Sequence, residues 1–429
     1  MISSNGSRTT LYWATILIGL LPVWMIALPL DITNAPSGWQ VFVRSNSLAV
    51  PLVQLIFVLV AMSGFFSPLK AINQLPYVTK IALAVWVIMS CAVSFQTGKD
   101  HLSASIGLMK LAIAALFMLA LVDLKRFYGF RFILTLWVSL GVGVTLYMVL
   151  WAVHILVVSP HGMDWITRLP GVNNVRHTGH FAFTSFVSGL VCLSAFQNSK
   201  KAWLKFLLPL MFGSGGLGLA LWTGSRGPLL ASIVAIFVTM LATSGDRKIL
   251  SIYFALSAVV ATAVVAILPI PHPWYGIAGA IGIADVSAQG ANELSSGRME
   301  LWFDTIAKIQ EHPILGWGVN QYATFGPAKT GNPFHPHNFP LQLMFSGGVA
   351  SVLLVFMIFL PALRRWKGPC ANSLSSVGVG GVVGILVYSL YDGALYFSYP
   401  SMIFLISIAT SITPSTPRIN REMSDETLE

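Results

Sequence analysis

Crossing a bilayer as a helix takes about 20 consecutive apolar residues. Runs of that kind recur twelve times along this 429-residue chain, near 11–30, 47–66, 76–95, 102–122, 132–158, 180–196, 203–222, 227–243, 249–268, 338–360, 375–391 and 398–412. Between them little chain is left over for a soluble core. Charged residues make up only 9% of the chain and hydrophobic ones 55%, whereas a soluble domain carries roughly 25% charge. With a mean hydropathy of +0.75, this much apolar surface needs lipid as its solvent. The chain reads as an all-α polytopic membrane protein, one membrane domain over residues 1–429. The first run follows Arg8 without a small-residue cleavage site and reads as a retained helix. The formal charge of +10 fits basic cytoplasmic loops better than a nucleic-acid partner. Cys91, Cys192 and Cys370 are scattered, with no disulfide or metal-ligand spacing.

The basic residues set the expected orientation. With the N-terminus in the cytoplasm, 15 Lys and Arg fall on the inner side and 8 on the outer side. Lys80 and Lys110 lie within spans. Lys80 sits near an inner helix end and can snorkel to the interface; Lys110 is deeper, where a charge asks for a functional reason. Both termini are expected in the cytoplasm, and the one long connection, 269–337, outside. It opens with Pro269, Pro271 and Pro273, which stop the ninth run. Within it, SSGRMELWFDTIAKIQEHP predicts an amphipathic helix on the outer membrane surface. Met299, Trp302, Ile306 and Ile309 form its expected apolar face, Ser296 or Gly297 its cap, and Pro313 its stop.

Several polar constellations interrupt this apolar background. Gly213, Gly215 and Gly218 match G-x-G-x-x-G, but inside a span with no preceding strand. Close helix packing through small residues accounts for them better than a nucleotide. T-G-S-R-G-P at 223–228 places Arg226 at a helix start, and S-G-R at 296–298 does the same for Arg298. A guanidinium at a helix N-terminus makes an anion site, or anchors the helix in lipid headgroups. Asn173, Arg176, His177 and His180 crowd the entry to the sixth run, and His335, His337 and Asn338 the entry to the tenth. A neutral imidazole is a natural general base near pH 7. His335 and His337 have no nearby carboxylate in sequence to complete a metal site. Arg176, Arg226, Arg298 and His337 come from four segments that the expected topology places on one side. Such a set suits an anionic substrate and a proton transfer.

The segments TGSRGPLLA (223–231), SSGRMELWFDTIAKIQEHPILGWGVNQY (295–322) and HPHNFPLQLMFSGGV (335–349) resemble the O-antigen ligase and O-antigen polymerase superfamily of bacterial envelope glycosyltransferases. The spacing H-P-x-x-G-x-G from His312 to Gly318, followed by H-N at His337 and Asn338, carries the resemblance furthest; NVRHTGH (174–180) matches more loosely. The resemblance implies a GT-C-like bundle of about 12 transmembrane helices in the bacterial inner membrane, with a large periplasmic loop and a periplasmic active site. It implies transfer of a glycan from undecaprenyl pyrophosphate to an acceptor hydroxyl, with no metal, cofactor or nucleotide sugar. Carried over by motif, Arg226 and Arg298, with Arg176 by the looser match, would contact the donor pyrophosphate. His337 would be the catalytic base or would position the acceptor. Asn338, His180 and His335 would support them. Ser346 and Ser351 stand where many members have an acidic residue and a second glycine. A ligase, whose acceptor is lipid A–core, is the favoured type. An O-antigen polymerase or a protein O-oligosaccharyltransferase is the alternative within the superfamily. A lipid or polysaccharide transporter, for which Lys110 speaks, is the alternative outside it.

The basic asymmetry makes a direct prediction. Alkaline phosphatase fused after Gln289 should be active, and fused after Lys367 inactive. The reverse pattern would place Arg226, Arg298 and His337 in the cytoplasm and remove the basis for a periplasmic reaction.

Overall fold

The computed structural model describes residues 4–27, 49–64, 66–153, 177–243, 246–268, 270, 275–281, 298–327, 335–364 and 373–412. Each of the twelve apolar runs coincides with a helix. These are α1 (Ser4–Gly19, continued by Leu21–Ala27), α2 (Ala49–Met62), α3 (Tyr77–Gln96), α4 (His101–Tyr128), α5 (Phe130–Val153) and α6 (Thr178–Phe196). Next come α7 (Leu208–Trp222, entered through the π-turn Trp203–Leu207), α8 (Arg226–Ala242) and α9 (Arg247–Ile267). The loop helix α10 (Arg298–Glu311) is followed by α11 (Phe339–Arg364), α12 (Ser373–Asp392) and α13 (Ser398–Ser411). Eight are long and apolar enough to cross a membrane: α3 to α6, α7 with its π-turn, α9, α11 and α12. The apolar helices in α1, α2, α8 and α13 are shorter. The protein is an all-α, multi-pass membrane protein.

Burial sorts the helices. In α6 and α12, 83% and 72% of the apolar window is covered, against 28% in α3, α4, α9 and α11. The first pair is therefore the centre of the bundle, and the others turn most of their surface outward, where Ile88, Val259 and Leu353 are exposed. Exposed aliphatic side chains of this kind suit contact with lipid. The centre is packed through small residues. A side chain at Gly213 would collide with Tyr253 of α9, and one at Gly216 with the backbone of Ala182 and Phe186 of α6. The glycine pattern at 213–218 is thus a packing surface, as the sequence suggests.

Two lysines near helix ends are satisfied by backbone. Lys80 Nζ donates to Asn73 O at 2.8 Å. Lys125 is buried, and its ammonium donates to the carbonyls of Ala409, Thr410 and Ile412 at 2.8, 2.7 and 2.6 Å. These are free carbonyls at the C-terminus of α13, where the helix dipole also favours a cation.

The least regular helix is α11. Gly347 (φ −142°, ψ 16°) and Gly348 (φ 62°, ψ −168°) break it, so the helical ladder cannot run through that point. The loop after α10 takes up the freed groups. Trp317 N donates to Phe345 O at 2.8 Å and Gly318 N to Ser346 O at 2.9 Å, while Val349 N donates to Pro313 O at 2.9 Å and Ala350 N to Ile314 O at 3.3 Å. This is the role of His312–Gly318. Gly316, at φ 71°, lies so close to Phe345 O and Gly347 N that a β-carbon would clash with both. Trp317 fixes the loop from the other side. Its Nε1 donates to Lys308 O at 2.9 Å, and its ring stacks on Phe325 at 4.7 Å. The same loop is tied to the α3–α4 turn through Val319 N to Ser94 Oγ (2.9 Å), Gln321 Nε2 to Asp100 O (2.8 Å) and Asn320 Nδ2 to Ser103 O (3.1 Å).

The loop helix α10 forms where the sequence places it, but with a different inner face. Arg298, Leu301, Thr305 and Ile309 are buried, while Met299, Phe303 and Ile306 are exposed. Met299 and Ile306 thus turn away from the core face, and Trp302 turns toward it, donating from Nε1 to Pro336 O at 2.9 Å. The expected single apolar stripe was too simple because the helix has two apolar sides, one against protein and one outward. Ser296 and Gly297 lie outside the described residues.

Replacing Gly348 by alanine adds a left-handed strain and a β-carbon against Ile314. Together these should cost about 2–5 kcal/mol. Gly129, also left-handed (φ 67°) but with open space around it, is the control; its alanine variant should lose only about 1–2 kcal/mol. Unfolding of the two purified variants in detergent measures the difference, and equal losses would show that the loop does not seat on the break.

Candidate active site

Five helix ends meet at one end of the bundle: the starts of α6, α8, α10 and α11 and the end of α12. Arg298 is the first residue of α10 and is only 7% exposed. Its NH1 donates to Tyr391 O at 2.6 Å and its NH2 to Asp392 Oδ1 at 2.7 Å. The guanidinium also lies over the Tyr391 ring, 5.0 Å from its centroid. A buried, doubly held arginine is not a headgroup anchor. It is a fixed positive group with a set orientation.

Asp392 connects that arginine to the histidines. It ends α12, and Oδ1 lies 3.9 Å from His337 Nδ1, beyond hydrogen-bond reach. Gly393, at φ 62°, lets the chain turn directly against the His337 backbone. His337 itself has φ 52°, an uncommon conformation for a side-chain-bearing residue that tends to mark functional sites. Its side chain is 37% exposed, twice as open as that of Asp392 at 18%. Asn338 then caps α11: its Oδ1 accepts from Leu341 N at 3.1 Å, and its Nδ2 donates to Leu390 O at 3.0 Å. That one amide links the start of α11 to the end of α12.

His335 differs from the lip residue its loop position suggests. It is 5% exposed. Its ring stacks on Tyr396 at 4.2 Å and meets Phe397 edge-on at 5.1 Å. Its Nδ1 accepts from His337 N at 3.2 Å. That lone pair is therefore committed to shaping the turn that presents His337. Burial, reinforced by the charges of His337, His177, Arg298 and His180, holds the ring well below the usual histidine range, so it is neutral near pH 7. His177 precedes α6 and packs on Phe397 at 4.6 Å. Burial pushes it down to about 4, against the opposing pull of Asp392 and with a further lowering by His337. His180 is buried one turn into α6, between His177, Tyr388 and Phe397. His335 and His180 are thus buried behind His337, which, like His177, is only partly covered.

Arg226 opens α8, and its Nε donates to Gly279 O at 3.3 Å, in the short helix Gly276–Ile281. It is half-buried, which sets it apart from a freely exposed headgroup anchor. Arg176 and Asn173 lie outside the described residues. The structure therefore brings together Arg298, His337, Asn338, His335, His177 and His180.

Asp392 is the member that motif reading missed. A signal was present: it is the single acidic residue between Glu311 and Glu422, and it stands at the end of an apolar helix. An isolated acid in that position asks for a cation. The cation, however, comes from 94 residues away in sequence, and local spacing cannot reveal it.

A family model described as O-antigen ligase matches residues 210–356, a stretch that contains Arg226, Arg298, His335, His337 and Asn338. The O-antigen ligase of Pseudomonas aeruginosa (strain PAO1) is 32% identical over 184 residues, 43% of this chain. The match spans 41% of that relative's length. The resemblance to the O-antigen ligase superfamily read from the motifs is thus borne out in the part of the chain that carries them.

The Arg298–Asp392 contact can be tested for its structural share. Arg298→Met leaves the carboxylate without its partner and should cost about 1.5–3 kcal/mol. Arg298→Met combined with Asp392→Leu should recover most of that loss, since paired removal leaves no orphan charge. Denaturation in detergent gives both values. A double variant no more stable than the single would mean the pair does not hold this corner.

Proposed function

We propose that this protein is an O-antigen ligase. It would transfer a glycan from undecaprenyl pyrophosphate to a sugar hydroxyl of lipid A–core on the periplasmic face of the bacterial inner membrane, completing lipopolysaccharide. One observation carries the reading: Arg298, Asp392 and His337, drawn from three separate segments, converge at one end of the membrane bundle beside the buried, neutral His335. An O-antigen ligase family match over residues 210–356, which hold Arg226, Arg298 and His337 but not Asp392, supports it.

The chemistry follows from what each group can do. The acceptor is a sugar hydroxyl, a weak nucleophile until its proton is removed. An arginine stays protonated and cannot take that proton; the open imidazole of His337 can. The acceptor's oxygen, having given its proton to His337, forms the new bond to the anomeric carbon as the bond from that carbon to the pyrophosphate oxygen breaks. The leaving group gains charge, which Arg298 and Arg226 offset. Arg298 cannot swing away to meet it, because Tyr391 O and Asp392 hold its two terminal nitrogens. Pre-orientation of this kind avoids reorganisation during the reaction. Asp392 has a second effect, since a carboxylate 3.9 Å from His337 Nδ1 favours the imidazolium that forms. His335 acts through the His337 backbone and is a positioning residue.

Transfer is measured in membranes holding equal amounts of protein, with lipid-linked glycan and lipid A–core as substrates. His337→Ala should lower the rate about 10²–10⁴-fold, the usual worth of a general base. His337→Gln should be as poor as alanine; a fast glutamine variant would mean that His337 only hydrogen-bonds the acceptor. Arg298→Lys and Arg226→Lys should lose most activity although charge is kept, because an ammonium cannot reproduce the forked contact. Wild-type rates in all of these variants would refute the assignment.

A further inference from the structure

Lys110 has no part in the site above, and among the described residues its ammonium has no hydrogen-bond or ion-pair partner. It lines a cavity of about 490 Å³ enclosed by α3, α4, α11 and α13. Gly107, three residues earlier, packs against Val319 and Asn320 of the loop that seats on the α11 break. Lys110 therefore lies only about 4.5 Å further along α4 than that loop. Its neighbours in the lining at this end include Asn320, Gln342, Ser346 and Tyr396. Beyond them the walls turn apolar, with Leu111, Met118, Val355, Phe359, Phe404 and Leu405 running down the bundle. Gln74, Asp123 and Arg126 line the far end, where Arg126 donates to Gln74. A cation at a polar mouth above an apolar barrel has the shape of an amphiphile.

Gln342 gives a second, independent indication of a ligand. It is 9% exposed, and its Nε2 donates to Ser346 Oγ at 3.1 Å. Its Oε1 is buried without a hydrogen-bond partner. Such an acceptor costs free energy unless something donates to it. The mouth therefore calls for a ligand that carries both an anion for Lys110 and a hydroxyl or N–H for Gln342. A phosphorylated glycolipid offers both, with acyl chains for the apolar walls. A polyprenyl pyrophosphate linked to a glycan carries such donors too, so the cavity's place relative to the arginines separates the two.

Position favours the phosphorylated glycolipid. Tyr396 and Phe397 line the cavity and also pack on His335, His177 and His180. Arg226, Arg298 and His337 are not in its lining. The cavity thus adjoins the histidine cluster while remaining separate from the arginines assigned to the donor. We infer that it holds an acyl chain of the phosphorylated glycolipid acceptor, with a lipid phosphate on Lys110 and a head-group donor on Gln342. The inference rests on the ligase reading for the acceptor's identity and on the cavity for its place.

Full-length protein in phosphatidylcholine nanodiscs is titrated with diphosphoryl lipid A, phosphatidylglycerol or undecaprenyl phosphate, with binding read by native mass spectrometry. Lipid A should bind best. Lys110→Met should weaken it roughly 10- to 100-fold, the worth of a lost charge-assisted contact. Lys110→Arg should bind nearly as wild type. Ala115→Trp, which narrows the barrel without touching the charge, should also weaken binding and covers the case in which Lys110→Met fails to fold. In ligation assays Lys110→Met should raise the KM for acceptor and leave the KM for donor and kcat unchanged. Unchanged lipid A binding in Lys110→Met or, should that variant not fold, in Ala115→Trp overturns the inference. So does equal affinity for phosphatidylglycerol, which would make this a bulk-lipid site, or a Lys110-dependent preference for undecaprenyl phosphate, which would make it the donor's. A wild-type protein that binds lipid A through Lys110 but never ligates would instead refute the proposed reaction and leave this site standing.

Discussion

A membrane offers no water to an unpaired backbone group, so a broken helix must find its replacement bonds within the protein. The break in α11 at Gly347 and Gly348 meets this demand with the loop that follows α10. Four backbone hydrogen bonds pass between Pro313–Gly318 and Phe345–Ala350. Much else depends on that exchange. It joins α10, which carries Arg298, to α11, which begins beside His337. Through Asn320 and Gln321 it also reaches the α3–α4 turn and the mouth of the cavity beneath. The distance from Arg298 to the histidines is set by backbone hydrogen bonds, which deform less readily than side-chain contacts.

Around that frame the polar groups are divided by exposure. Arg298, His335 and His180 are buried and committed to partners or ring contacts, whereas His337 is open. The split has a physical logic. The buried imidazole of His335 stays neutral and shapes the turn that presents His337. An arginine held by both Tyr391 O and Asp392 contributes direction as well as charge. Asn338 and Trp302 complete the arrangement by tying the histidine turn to α12 and α10.

Much of this was legible from the chain itself. Hydrophobic length is a one-dimensional property, and among the described residues each run contains a helix, eight of them long enough to span. Arg226, Arg298 and His337 stood out because a charged or titratable group at the end of an apolar helix is conspicuous in a chain so poor in charge. Pairing is different, since it is decided by packing between distant segments. Asp392 therefore escaped notice, although its isolation in sequence was visible. His335 looked like a rim residue because a loop position says nothing of the Tyr396 and Phe397 rings that later cover it. The two-sided burial of α10 was also hidden, because periodicity finds an apolar face but not which apolar face meets protein. The glycines of His312–Gly318 could be recognised as a motif, but their purpose appears only when the α11 break lies beside them.

The bond from Lys125 to the end of α13 bears on the order in which the protein can be assembled. A lysine near the end of α4 is satisfied by carbonyls that emerge almost three hundred residues later in synthesis, at Ala409, Thr410 and Ile412. Until α13 arrives, that ammonium must stay hydrated at the membrane surface, and α4 cannot settle to its final depth. A chain without α13 leaves that ammonium at a bundle seam without its three acceptors, so the seat of α4, made early, waits on a helix made much later.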